Sequence, residues 1–201
     1  MVAERRRGDD DTATRILDIA ERLAQVRGFN GFSYADIAAE LGITKAALHY
    51  HFAGKADLGE ALIGRYAARF GEALAVIDAG TSAAPAKLRG YAELYADVLR
   101  SQRMCLCGML AAEYPTLPGA MQASVVSFFD QNEAWLQDVL EQGRGDGSLQ
   151  FTGSPRDVAR MIIGCLEGAM LVTRPYGDIP RFQDAAASLM AGLTSPAVVR
   201  D

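Results

Sequence analysis

Residue types that could carry chemistry are few in this chain and closely placed. Its 201 residues include only two histidines, His49 and His51, and three cysteines, Cys105, Cys107 and Cys165. Imidazole-based proton transfer or metal binding would have to draw on one short stretch. Cys105-Leu106-Cys107 lacks the second Cys pair or nearby histidine of a zinc site, so no metal is expected. A Ser/His/Asp set would need those same two histidines. Gly143-Arg144-Gly145-Asp146-Gly147 follows no strand and completes no Gly-x-Gly-x-x-Gly spacing, so no dinucleotide cofactor is expected either. A small helical enzyme built on the Cys pair has no base to activate it. The expectation is a protein that binds rather than one that catalyses.

The histidine stretch has the make-up of a binding element. Tyr50, His49 and His51 on a short surface helix have no packing reason to be aromatic, and exposed aromatic residues mark binding. The elements that position them are helical. Ile16, Leu17, Ile19, Ala20 and Leu23 recur at helical steps over about 12–27, and Gly28 stops that helix. Ser33-Tyr34-Ala35-Asp36 starts a short helix in the manner of a capping box, with Ile37, Ala38 and Leu41 as its apolar face. Gly42 ends it, Ile43 is expected to be buried in the turn, and Thr44 caps a second short helix, Lys45–His51. Two short helices joined by a tight turn containing Gly form a helix-turn-helix pattern.

The rest also reads as helical. Segments are predicted at about 55–79, 86–101, 119–142, 154–173 and 181–193, with a short apolar stretch at 104–114 and a turn at 143–147. Ser154-Pro155-Arg156-Asp157 is a well-formed helix start. The first ten residues and the tail from Thr194 are expected to be mobile, with Arg5, Arg6 and Arg7 either a basic arm or a solubilising tail.

Lys+Arg is 20 against Asp+Glu 25, a formal net charge of −5, so any contact with nucleic acid must be local. No apolar run reaches the roughly 20 residues of a membrane helix, and the polar N-terminus lacks the apolar core of a signal peptide. The expected compartment is the cytoplasm, with reduced thiols.

Residues 12–63 closely resemble the DNA-binding domain of the TetR family of bacterial transcriptional repressors. The resemblance is carried by an Ile-Leu-x-x-Ala helix, Gly28-Phe29, Ser33-Tyr34-Ala35-Asp36-Ile37-Ala38, Leu41-Gly42-Ile43 and Leu48-His49-Tyr50-His51-Phe52-x-x-Lys55-x-x-Leu58. It implies an all-α protein, with an N-terminal three-helix helix-turn-helix domain over 12–54 and a C-terminal helical domain over 55–194 that binds an effector and dimerises. The second short helix would enter the major groove. Thr44, Lys45, Ala46, Ala47 and His49 would face DNA, with Lys45 donating to guanine or phosphate and the alanines touching thymine methyls. Tyr50, His51, Lys55 and Tyr34 would carry backbone contacts. The sequence departs from the family at Ala35, where some members have a base-reading Arg, and at Gly54, where Ser is usual. Over 12–66, Arg15, Arg22, Arg27, Lys45, Lys55 and Arg65 balance Asp18, Glu21, Asp36, Glu40, Asp57 and Glu60, so one subunit alone should bind weakly.

The resemblance further implies a homodimer through helices near 154–173 and 181–193, a double-stranded DNA operator and a small-molecule effector that releases it. Met161, Ile162, Cys165, Leu166, Ala169, Met170 and Thr173, with Gly164 and Gly168, make the first of these helices apolar over much of its circumference, which calls for partners on more than one side. Tyr91, Leu94, Tyr95, Cys105, Met109, Tyr114, Met121, Phe128, Phe129 and Trp135 are candidate pocket residues, and each could equally be core. Glu167, a carboxylate within an apolar helix, could bind a cationic or hydroxylated ligand group, pair with an Arg or face solvent. Sensors of electrophiles and oxidants in this family carry a reactive Cys just before a stretch like Gly108-Met109-Leu110-Ala111-Ala112-Glu113. That makes Cys105 or Cys107 an alternative trigger, provided Arg103 or a helix N-terminus lowers the thiol pKa. A ligand-independent activator is the other alternative.

Overall fold

The computed structural model describes residues 2–194, with side chains from Asp11 onward. The described residues form nine α-helices and two single 3-10 turns, with no strand. The helices are α1 Val2–Arg27, α2 Tyr34–Leu41, α3 Lys45–His51, α4 Lys55–Gly80, α5 Ala84–Arg100, α6 Leu106–Ala112, α7 Gly119–Gly145, α8 Pro155–Thr173 and α9 Ile179–Thr194. Helix α1 starts ten residues before the expected Thr12. Nothing but Gly8 interrupts that segment, and one Gly costs a helix only about 1 kcal/mol. The backbone of Arg5, Arg6 and Arg7 is therefore helical rather than a loose arm, while their side chains lie outside the described residues, as does the tail at 195–201.

The helices divide into two compact units. Among the described residues, the first contains those up to Ala68 together with Leu106–Val126; the second contains Arg69–Cys105 and those from Ser127 to Thr194. In the first unit Ile16, Ala20, Leu23 and Ala24 of α1 meet Ile37, Leu48, Leu58 and Leu62 in a core that is fully closed to solvent. Gly42 ends α2 at φ 68° and returns an N–H to Ala38, as a left-handed C-cap should. Arg65 ties α4 to α1 through Asp18 at 2.7 Å and the buried Glu21 at 2.9 Å. Arg22 pairs α1 with Glu40 of α2.

In the second unit, α5, α8 and α9 pack on one another. Their core includes Leu88, Tyr91, Tyr95, Ile162, Leu166, Met170 and Phe182, with Phe128 and Leu136 from α7 also buried. Ser154 caps α8, its hydroxyl accepting the Asp157 N–H at 3.1 Å. The expected turn at 143–147 is corrected, since α7 runs through Gly145. Gly143 serves close packing instead: a Cβ there would lie 2.4 Å from Leu149 Cδ1 and 2.8 Å from Ala84 Cβ. Gly143→Ala should therefore destabilise the protein by about 1–3 kcal/mol, overpacking outweighing the better helix propensity of Ala. A chemical denaturation curve of the variant checks this.

Candidate DNA interface and effector cluster

Helix α3 has one buried side chain, Leu48, which anchors it with no exposed surface. Thr44 caps it, its hydroxyl accepting the Ala47 N–H at 3.2 Å. Lys45, Ala46, His49 and Tyr50 are exposed, and Ala47 and His51 are half-buried. Tyr50 stands out at 75% exposure and meets the His51 ring edge-on at 5.2 Å between centroids. His49 Nδ1 bonds the Ala53 carbonyl at 3.0 Å, and its ring lies 4.8 Å from that of Tyr34. At one surface the element offers an ammonium, two methyl groups, a phenol and imidazoles, which suits a groove edge and its flanking phosphates.

Tyr34 and Lys55, expected at the DNA backbone, bond within the chain and support this element. Tyr34 is buried, and its hydroxyl donates to the Phe52 carbonyl at 3.0 Å, closing the end of α3 against the start of α2. Burial, then the Asp57 carboxylate, pushes its pKa up to about 12. Lys55 donates to the carbonyls of Phe29 and Phe32. Its ammonium also stands over both phenyl rings, 4.6 and 4.3 Å from their centroids. Burial lowers the Lys55 pKa, opposed by the Glu113 and Asp36 carboxylates.

A carboxylate not weighed from the sequence completes this support. Glu113, just past α6, accepts the N–H of Phe29 at 2.6 Å and that of Asn30 at 3.3 Å. Asn30 in turn donates to Thr116 Oγ1 at 2.8 Å. Gly28 makes room for it: φ is +84°, and a Cβ would sit 2.7 Å from Glu113 Oε1. The clamp holds the α1–α2 connection, and the only hint in sequence was the position of Glu113 at the end of the Gly108–Glu113 stretch.

The second unit encloses a polar cluster within apolar packing. The Tyr91 hydroxyl lies 3.2 Å from that of Tyr95 and donates to Asn132 Oδ1 at 3.1 Å. Asn132 donates onward to the Phe128 carbonyl at 2.7 Å. Phe70 meets Tyr91, Tyr95 and Phe128 edge-on, and Trp135 stacks on Tyr91 at 5.7 Å. Cys105 and Glu167 are near enough to act electrostatically on both tyrosines. The Cys105 thiol donates a hydrogen bond to the Glu167 carboxylate. Glu167 Oε1 is closed to solvent and has no hydrogen-bond partner. Burial pushes the Glu167 pKa up to about 7, only partly offset by the bond from Cys105.

Residues 16–62 match the model of bacterial regulatory proteins of the tetR family, and residues 84–189 match the tetracyclin repressor-like C-terminal domain. The second match alone covers more than half of the chain. The chain belongs to the TetR family. A TetR-family transcriptional regulator from Agrobacterium tumefaciens shares its structure with a TM-score of 0.90 and 32% identity, over 93% of this chain and 100% of that one. The transcriptional repressor NemR of Escherichia coli K12 is 23% identical over 94% of this chain and 98% of its own length. The fold is also shared with AibR, solved in complex with isovaleryl coenzyme A and operator DNA, at a TM-score of 0.72 and 21% identity. The chain is thus a helix-turn-helix transcriptional regulator and not an enzyme.

Of the TetR-like pocket residues expected from sequence, the structure brings Tyr91, Tyr95, Cys105, Phe128 and Glu167 together, with Trp135 at the edge. Phe129 meets Phe128 edge-on at 5.4 Å between centroids. Met109, Tyr114 and Met121 belong to the first unit. Tyr114 is exposed, and the Met121 thioether fills the space beside Gly59. Asn132, which no motif had marked, joins the cluster. Among the described residues no His/Cys/Asp/Glu group could hold a metal ion, and no helix is long and apolar enough to cross a membrane.

Proposed function

We propose that this TetR-family regulator is a homodimeric repressor that binds a palindromic operator through α3 and is released by a small molecule entering the second unit. The observation that carries the effector reading is Glu167 Oε1, a buried acceptor without a partner beside two tyrosine hydroxyls. A buried polar group left unsatisfied costs about 1–3 kcal/mol, so a ligand that donates to it recovers that cost. The chemistry suits an effector with a cationic or hydroxyl donor on an apolar or aromatic body. Tyr91, Tyr95 and Phe128 fill the cluster, so ligand entry requires them to move. Their displacement is the differential interaction that a shift between DNA-binding and released shapes needs.

Dimerisation is supported by the two apolar faces of α8. Ile162, Leu166 and Met170 are buried within the chain, while Met161, Leu171 and Val172 are 44%, 61% and 59% exposed on other sides. Gly164 and Gly168 leave open space where a side chain would stand. A groove of about 390 Å³ between Cys165, Val172, Ala185 and Leu189 continues this surface onto α9. The thiol-trigger alternative is disfavoured by the site itself. Cys105 is 1% and Cys107 0% exposed, so neither thiol is open to an electrophile or oxidant.

The experiment is a thermal-shift screen of small cationic and hydroxylated aromatic compounds, followed by operator binding with and without each hit. Effector and operator affinities must weaken one another by the same factor. Saturation by a stabilising compound that binds at Glu167 and leaves operator affinity unchanged would contradict the proposal. On the DNA side, Tyr50→Ala should weaken binding several-fold for every sequence. Lys45→Ala should instead change the preferred base at one position of each half-site. Competition binding against a set of single-base operator variants distinguishes the two.

A further inference from the structure

The geometry around His49 assigns it a hydrogen-bonding polarity, and this inference rests on α3 being the groove helix. Its Nδ1 lies 3.0 Å from the Ala53 carbonyl oxygen, which can only accept. The proton must therefore sit on Nδ1. Tyr34 packs on the ring, and Tyr34 is fixed in turn by its hydroxyl bond to the Phe52 carbonyl. The imidazole is thus held before any DNA arrives. A neutral imidazole carries one proton, so Nε2, on the far side of the ring from Nδ1, presents a lone pair.

We propose that His49 reads the operator as an acceptor, specifying the exocyclic amino group of a cytosine or an adenine in the major groove. In that groove the donors are cytosine N4 and adenine N6; guanine N7 and O6 and thymine O4 all accept. Phosphate oxygens also accept, so a neutral Nε2 is mismatched to the backbone and to guanine alike. Lys45, exposed four residues earlier on the same helix face, has three donors and no acceptor. The pair divides the reading: Lys45 takes acceptor-rich edges, and His49 takes an amino group. Ala46 and Ala47 offer no competing polar group at this surface.

The test uses the full chain at about pH 8.5, where an imidazole is neutral, and an operator selected from random duplex DNA. The exocyclic amino groups are removed one at a time, with 2-pyrimidinone replacing cytosine and purine replacing adenine. One such removal per half-site should weaken binding of the unsubstituted protein by about tenfold, the size of one hydrogen bond. The same removal should leave His49→Ala unaffected. The inference is overturned if no amino removal distinguishes the two proteins. It is equally overturned if the His49-dependent loss follows 7-deazaguanine or a neutralised phosphate, because His49 would then be a donor. Tyr50→Ala and Lys45→Ala run alongside: if both bind the operator unchanged, α3 itself is not the reading helix. If they lose binding while the amino removals do nothing, only the polarity of His49 is wrong.

Discussion

Glu167→Gln is expected to stabilise the protein at alkaline pH by up to about 3 kcal/mol and to remove a pH dependence that the unsubstituted protein shows. Burial raises the Glu167 pKa from 4.5 to about 7. The folded chain therefore holds the carboxyl proton over a range in which the unfolded chain releases it, so stability falls as pH rises across that window. The favourable contribution is complete below about 4.5 and is lost once pH has passed the folded pKa. At 1.36 kcal/mol per pKa unit the difference is about 3 kcal/mol, partly offset by the hydrogen bonds an amide must find in the same place. Carboxylates such as Asp36, held low chiefly by the Ser33 hydroxyl, work in the opposite direction, since their contribution is lost as pH falls. The informative quantity is thus the difference between the two proteins. Urea unfolding at about pH 5 and pH 8.5 should show stabilities that nearly coincide at the lower pH and separate at the higher, with the variant more stable. Parallel curves would mean that Glu167 is not confined as described.

Lys55→Met should cost about 3 kcal/mol or more and weaken operator binding without changing its salt dependence. The carbonyls of Phe29 and Phe32 lose their donor, at about 1–3 kcal/mol each when left unpaired, and the cation–π contacts with both rings disappear. The connection held by this ammonium also carries the Glu113 clamp, so Glu113→Ala should produce a related loss. A phosphate ligand would behave otherwise. Each released phosphate contact lowers the slope of log affinity against log salt by about 0.9, so a dimer would lose about 1.8. A flatter slope with unchanged stability would restore Lys55 to the DNA surface.

These two sites also mark where sequence reasoning succeeds and where it stops. Local chemistry was legible. Ser154 with Asp157 and the Gly42 terminus need only neighbouring residues, and the structure has both. The cluster of Tyr91, Tyr95, Cys105, Phe128 and Glu167 was legible as residue types, because a carboxylate in an apolar helix stands out. Its geometry was not, since Asn132 reaches Tyr91 across 41 residues. The carbonyl partners of Lys55 were not legible, because an ammonium suits phosphate and carbonyl oxygens equally and only the folded positions of Phe29 and Phe32 bring those carbonyls to it. Gly143 was misassigned because glycine marks both turns and tight packing. Glu113 lies 84 residues from the N–H it holds, beyond the reach of any local pattern.

Operator reading by α3 is tested by selection of bound duplexes from random DNA by the full chain, repeated with a Lys45→Ala/Tyr50→Ala double variant. The full chain should enrich an inverted repeat whose half-sites lie one helical turn, about 10 base pairs, or a multiple of it apart. The double variant should lose this enrichment while remaining folded. Selection of an asymmetric site, or of the same repeat by the double variant, would contradict this reading.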